Sequence, residues 1–286
     1  MSIKICVITP ISHLREFGNL GEMDMSLSHL IVDEPDGAYA RYYKQQREKG
    51  RFVILDNSAF ELEQQGRGLD PDPVLDAAEV TNPSEVIATD VLFDGEATIE
   101  STKRFIQRMK DRGVFGKYQI MGVVQGKDVN EWLDCFHRLL SLPINTIGLS
   151  KLSIPVSFLG DKESSGCVSR ARLDCTATID HIMNIAYYRN ITAHLLGGDN
   201  WTAWEMNKQK HYPWIRSNDS SCAVWYGSYE QVFNEEGKIE DIILEKPDLE
   251  NKDPYTARRI SHYHLTHGNQ ASILRNIAVW HKASKV

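Results

Sequence analysis

The sequence has no Cys-x-x-Cys pair, no internal repeat, no low-complexity tract and no Gly-rich phosphate fingerprint. Nor does any apolar run approach the roughly 20 residues that a membrane-spanning helix needs. Its five cysteines, Cys6, Cys135, Cys167, Cys175 and Cys222, are scattered and odd in number. That usage fits reduced thiols better than a disulfide framework. Cys167, Cys175 and His181 match no common zinc spacing, so they read as unrelated thiols and a helix-borne histidine. The opening "MSIKICVITP" is too short and too strand-like for a signal peptide, which makes the cytoplasm the expected location. A net charge of -7 over 286 residues rules out a uniformly basic coat. A local basic patch for nucleic acid stays compatible with it.

What recurs is a short run of β-branched and aliphatic residues that stops at polar or small ones. The runs cover 3–9, 52–56, 85–90, 118–126, 145–150, 191–198 and 213–219. Runs apolar on both faces suit the buried strands of a parallel sheet. Between them lie amphipathic helices over 36–50, 97–113 and 128–143, punctuated by Asp caps, Gly stops and Pro143. Alternating strands and helices imply βαβ units. Seven or eight strands in this length predict a single-domain (β/α)8 TIM barrel over residues 1–286, with an open doubly wound sheet as the alternative. The stretch 151–175 reads as a long loop or lid, 229–244 as a hairpin turning at Glu-Glu-Gly-Lys, and the tail as one or two helices.

In such a barrel the active site gathers where the strands end. The strand ends here carry Asp56, Asn57 and Ser58; Asp90; Gln125 and Gly126; Gly148, Leu149 and Ser150; Gly197 and Gly198; and Asp219 with Ser220. A single Asp at such a place is as well explained by capping the next helix. Three of them, with an amide and glycines beside them, point to a shared polar pocket. Paired carboxylates suit displacement at an anomeric carbon, one attacking and the other handling the leaving group's proton. A magnesium site is the other chemistry open to such carboxylates.

Read in order, "LDNSAFE", "IATDV", "VVQGK", "IGLSKLSIP", "HLLGG" and "SNDSSCAV" resemble the successive motifs of the queuine/archaeosine tRNA-guanine transglycosylase family. The resemblance spans about residues 52 to 226. It implies that Asp219 attacks C1′ of the nucleoside and that Asp56 is the general acid/base. It further implies that Asp90 reads the Watson–Crick edge of guanine and that Phe60 stacks on the base. Asn57 stands where the family has Ser. Gln125 and the backbone around Gly148 and Leu149 would contact O6 and the 7-substituent, beside Leu196 and Gly197 of the Leu-Met-Gly-like strand. Double displacement of this kind needs no cofactor. A carboxylate is the matching acceptor for guanine's two adjacent donors, and adenine would leave it unpaired.

The departures bear on substrate. The family's Cys-x-Cys-x-x-Cys zinc motif is missing, since no cysteine follows Cys222, although "NIAVWHKAS" resembles the segment bearing the zinc histidine, at His281. No structural zinc is expected. Ala59 replaces a family Gly, and Pro155 a lid Glu. A zinc-less relative resembles the phage and bacterial enzymes that insert 7-deazaguanines into DNA. DNA and a free 7-deazaguanine base, such as the 7-cyano form, are therefore the expected partners. The alternatives are guanine exchange in tRNA, a nucleosidase or glycoside hydrolase, and an inactive nucleic-acid-binding homologue. The family often dimerises, through a region that this chain has altered. Lys208, Lys210, Arg216, Arg258, Arg259, Arg170 and Arg172 read as surface charges with phosphate contact as the alternative. Trp201, Trp204 and Trp214 read as core, with a strand-binding surface as the alternative. His262 and His264 read as a solvated face rather than metal ligands.

Overall fold

A computed structural model describes residues 2–64, 70–161, 163–240, 265 and 267–286. Eight strands form one all-parallel sheet: β1 Lys4–Val7, β2 Asp24–Leu27, β3 Val53–Asp56, β4 Glu85–Ile87, β5 Gln119–Val124, β6 Thr146–Ser150, β7 Thr192–Leu196 and β8 Ile215–Ser220. From β2 to β8 each pairs with its neighbour in sequence, and β8 pairs with β1. The seam between β1 and β2 is held by one bridge, Cys6 to Met23, where the Met23 N–H donates to the Ile5 carbonyl at 3.2 Å. The chain is a (β/α)8 TIM barrel.

The outer layer comprises α1 Leu14–Phe17, α2 Ser28–Asp33, α3 Ala38–Glu48, α4 Ala59–Gln64, α5 Pro71–Thr81, α6 Gly95–Asp111, α7 Val129–Leu139, α8 Ser153–Leu159, α9 Cys167–Tyr188, α10 Thr202–Gln209, α11 Cys222–Gly227 and α12 His267–Ser284. Local chemistry sets their starts. Asp70, Asp94 and Asp128 each accept a hydrogen bond from a backbone N–H of the first turn that follows, at 3.0, 2.8 and 3.0 Å. Among the described residues, no helix is long and apolar enough to cross a membrane.

Strand alternation divides the core in two. Val53, Leu55, Val86, Ile147, Leu149, Ala193 and Leu195 face the helices. Cys6, Met23, Met25, Ile54, Ile87, Met121 and Val123 fill the barrel, beneath the C-terminal rim. The plug is apolar in the middle and ionic below it: Arg216 pairs with the fully buried Glu85 at 2.7 Å and stands over the Phe52 ring. Arg216 is thus a barrel residue, not a surface phosphate ligand.

Two expectations about loops change. Most of 151–175 is helix, namely α8 and the first turns of α9, leaving only a short connection. The buried face of α9 is mainly apolar, with Val168, Ala171, Cys175, Ile179, Met183 and Ala186, but Ser169, Arg172 and Thr176 interrupt it in its first turns. Arg172 is fully buried. It donates to the carbonyls of Leu149, Leu196 and Gly197 and pairs with Glu205 at 2.9 Å. Arg170, by contrast, is exposed. Over 229–240 there is no strand. The chain makes a tight turn in which Asn234 and Lys238 are bridged at 2.8 Å, and 241–244 lie outside the described residues. So do Arg258, Arg259, His262 and His264.

Candidate active site at the barrel rim

A cleft of about 200 Å³ opens at the C-terminal ends of the strands. It is smaller than the roughly 300–1,000 Å³ of sites for drug-sized ligands, and so suits a small flat ring. Asp56, Asn57, Phe60, Asp90, Gln125, Leu196, Gly197 and Asp219 all line it. Gly148 and Leu149 do not. Gly148 lies below, where an added Cβ would meet Leu196 and Val123, and Leu149 faces the helices. Ser150, Lys151 and Leu152, one residue further along, form that wall instead.

Each carboxylate arrives by strand register. Asp56 is the last residue of β3, two positions beyond the inward-facing Ile54, so pleating aims it into the cleft. Its Oδ1 accepts the Ser58 N–H at 2.6 Å, and Asn57 Oδ1 accepts the Ala59 N–H at 2.8 Å. These two side-chain turns fold the backbone sharply into α4, with Ser58 at a φ of 61°, in the left-handed region. Phe60 follows, 37% exposed, with a ring free to stack.

Asp90 is buried and fixed in plane. Asn57 Nδ2 donates to Oδ1 at 2.7 Å and Gln125 Nε2 to Oδ2 at 2.6 Å. Both amides are themselves oriented, Asn57 by donating to the Ala88 carbonyl and Gln125 by accepting the Phe93 N–H. Gln125, expected to touch a base directly, lines the cleft and also braces Asp90. Asp219, in β8, accepts the Gly197 N–H at 2.7 Å and faces His194 Nε2 at 3.1 Å, both through Oδ1.

Burial separates the protonation behaviour of these groups. Asp56 is pushed well above the ordinary 3.8, first by loss of solvent, then by repulsion from Glu61 and more weakly from Asp219 and Asp90. Glu61 is raised by burial as well, with Lys151 pulling the other way. His194 is driven down by burial, against the pull of Asp219, which favours the neutral ring. A rim where burial makes the Asp56 carboxyl hold its proton more tightly than usual, beside an Asp219 held by two donors, has the groups both to protonate a leaving group and to attack a carbon.

Glu61, Lys151 and His194 belong to this site and were not singled out from the sequence. Glu61 sits five residues after Asp56 and Lys151 directly after β6. His194 shares the inward face of β7 with Leu196. Among the described residues, no three His, Cys, Asp or Glu side chains are grouped to hold a metal ion. All five cysteines are free and buried. His281 spends its ring on the Leu20 carbonyl, at 2.6 Å, and on Glu22. Trp214 is core, its Nε1 donating to Asp180, whereas Trp201 and Trp204 are half-buried under the Lys238 ammonium. No family model matches the chain, and a search of curated proteins finds no match.

Proposed function

We propose that the protein is a base-exchange transglycosylase that replaces guanine in DNA with a 7-substituted 7-deazaguanine. The observation that carries this reading is the meeting of Asp56, Asp90 and Asp219 in one small cleft floored by apolar side chains and flanked by an exposed Phe60. Asp219 attacks C1′ and the C1′–N9 bond breaks, the departing guanine taking the proton held by Asp56. The incoming base then gives its proton to Asp56, attacks C1′ and releases Asp219. Asp90, oriented by Asn57 and Gln125, is the acceptor proposed for guanine's N1–H and 2-amino group. A flipped base needs such an edge reader and a stacking face.

Local backbone supports the same reading. Ser58 occupies the motif position of the first Gly of Asp-Ser-Gly-Gly, and its φ of 61° is one that glycine adopts without cost. The preference for DNA over tRNA rests on the lack of cysteines after Cys222, together with the engagement of His281 by Leu20 and Glu22. Incubation with radiolabelled guanine and either duplex DNA or tRNA tests it. Label is expected in DNA. Label in tRNA alone would overturn the choice of polymer, and abasic sites without incorporation would identify a hydrolase.

A further inference from the structure

A file of hydrogen bonds runs up through the barrel to Asp219, and it fixes protons along the way. Arg216 pairs with Glu85 at 2.7 Å and turns its Nε to Ser217 Oγ at 3.1 Å. Ser217 Oγ lies 2.7 Å from His194 Nδ1, and His194 Nε2 lies 3.1 Å from Asp219 Oδ1. A register shift at Ala193/His194 accompanies the arrangement, in which Arg216 and Ser217, adjacent in β8, both find polar partners in the file.

Guanidinium nitrogen can only donate, so Ser217 Oγ is its acceptor. The hydroxyl still has a second lone pair, so the other end of the ring decides. Asp219, as a carboxylate, can only accept, which puts the ring proton on His194 Nε2 and leaves Nδ1 to accept the Ser217 hydroxyl. A neutral imidazole that accepts at Nδ1 carries its proton on Nε2, facing Asp219. Asp219 Oδ1 therefore receives two donors, His194 Nε2–H and the Gly197 N–H at 2.7 Å. Among the described residues, Oδ2 has no hydrogen-bond partner, and the side chain lines the cleft.

We infer that His194 is a positioning residue that, together with the Gly197 N–H, pins Oδ1 of Asp219 and leaves Oδ2 as the atom that attacks C1′. The inference rests on the transglycosylase reading. A lone pair of Oδ2 forms the O–C1′ bond while the C1′–N9 pair leaves with guanine and takes the Asp56 proton. Oδ1 becomes the carbonyl oxygen of the resulting ester. In the return step the incoming base attacks C1′, the O–C1′ pair goes back to the carboxylate, and the two donors on Oδ1 stabilise that carboxylate as it leaves.

The test compares wild type, His194→Leu and His194→Gln, after thermal melting has shown that each is folded. The readout is the single-turnover rate of covalent enzyme–nucleic acid adduct formation. Leucine removes the donor, and a fall of about 10²-fold at saturating nucleic acid is expected, with the half-saturating concentration unchanged. Glutamine keeps an N–H near the Nε2 position and should recover the rate to within about tenfold of wild type. Nitrogen-15 NMR of histidine-labelled wild type should show His194 protonated at Nε2 and bare at Nδ1. A folded leucine variant that forms adduct at the wild-type rate, or a proton on Nδ1, overturns the inference. Should wild type form no adduct with DNA or tRNA, the transglycosylase reading itself falls, while the NMR result still judges the file of hydrogen bonds. If the leucine variant does not fold, the glutamine variant and the tautomer decide.

Discussion

Gln125 Nε2 lies 2.6 Å from Asp90 Oδ2, and the opposite end of the same amide accepts the Phe93 N–H. The amide therefore orients a carboxylate at the cleft wall. Gln125→Leu should remove one brace from Asp90 and weaken guanine selection, lowering kcat/KM by roughly 5–150-fold, the cost of about 1–3 kcal/mol for a buried group that loses a partner. Exchange assays with guanine check this. An unchanged kcat/KM would mean that the brace is idle.

Asp219→Ala should abolish the covalent adduct on denaturing gels while leaving nucleic acid binding within a few-fold of wild type. Asp219 is held by one backbone N–H and by His194, and among the described residues no ion pair with Lys or Arg depends on it. An adduct that persists would place the nucleophile elsewhere.

Asp56 yields a prediction about stability and pH. Its folded carboxyl binds the proton more tightly than an unfolded one, so folding gains while the group is protonated and loses as pH rises through the raised folded value. Asparagine keeps the acceptor for the Ser58 N–H and never ionises. Asp56→Asn should melt a few degrees above wild type at about pH 8, the gap closing toward about pH 4. Thermal melts across pH check the sign. Glu61→Gln removes the largest repulsion on Asp56 and should shift the alkaline limb of the rate profile to lower pH.

Arg172 gathers the ends of β6 and β7 by donating to three carbonyls, with Glu205 as its buried counter-ion. Burial lifts Glu205 to about 7 even so. Arg172→Met should cost about 3–5 kcal/mol, because it strands both a carboxyl and the carbonyls. Adding Glu205→Gln should restore part of the loss. Urea midpoints measure both.

Ser58→Gly should change stability by no more than about 1 kcal/mol, since relief of the left-handed backbone offsets a weak contact with Ser28 Oγ at 3.2 Å. Ser58→Val puts a β-branched side chain at that φ and should disrupt the turn that holds Asp56. Circular dichroism and exchange rates separate the two effects.

The barrel was legible in the sequence because its strands are buried on both faces and read as short apolar runs. β2 was the exception. It carries Asp24 and Ser26 among its four residues, and Asp24 is paired with Arg51 from a distant segment, at 2.5 Å. The start of helix α9 was hidden for a related reason, since Ser169, Arg172 and Thr176 interrupt its apolar buried face and Arg172 satisfies backbone carbonyls. In the site, Asp56, Asp90 and Asp219 could be read because each sits at or near a strand end. Glu61, Lys151 and His194 could not, because their meaning lies in which side chains face one another across the barrel. The role of Gln125 was obscured in the same way: its residue type was visible, its partner was not.

The single bridge between β1 and β2 has a mechanical consequence. Counting around the barrel, Asp219 stands one strand to one side of that joint and Asp56 one strand to the other. Asp56 and Asp90, in contrast, are linked through directly paired β3 and β4 and through Asn57. Breathing of the joint would vary the gap between nucleophile and acid while leaving the base-reading wall rigid. Under the proposed exchange reaction, that joint lies along the direction in which C1′ would move as one base departs and another takes its place.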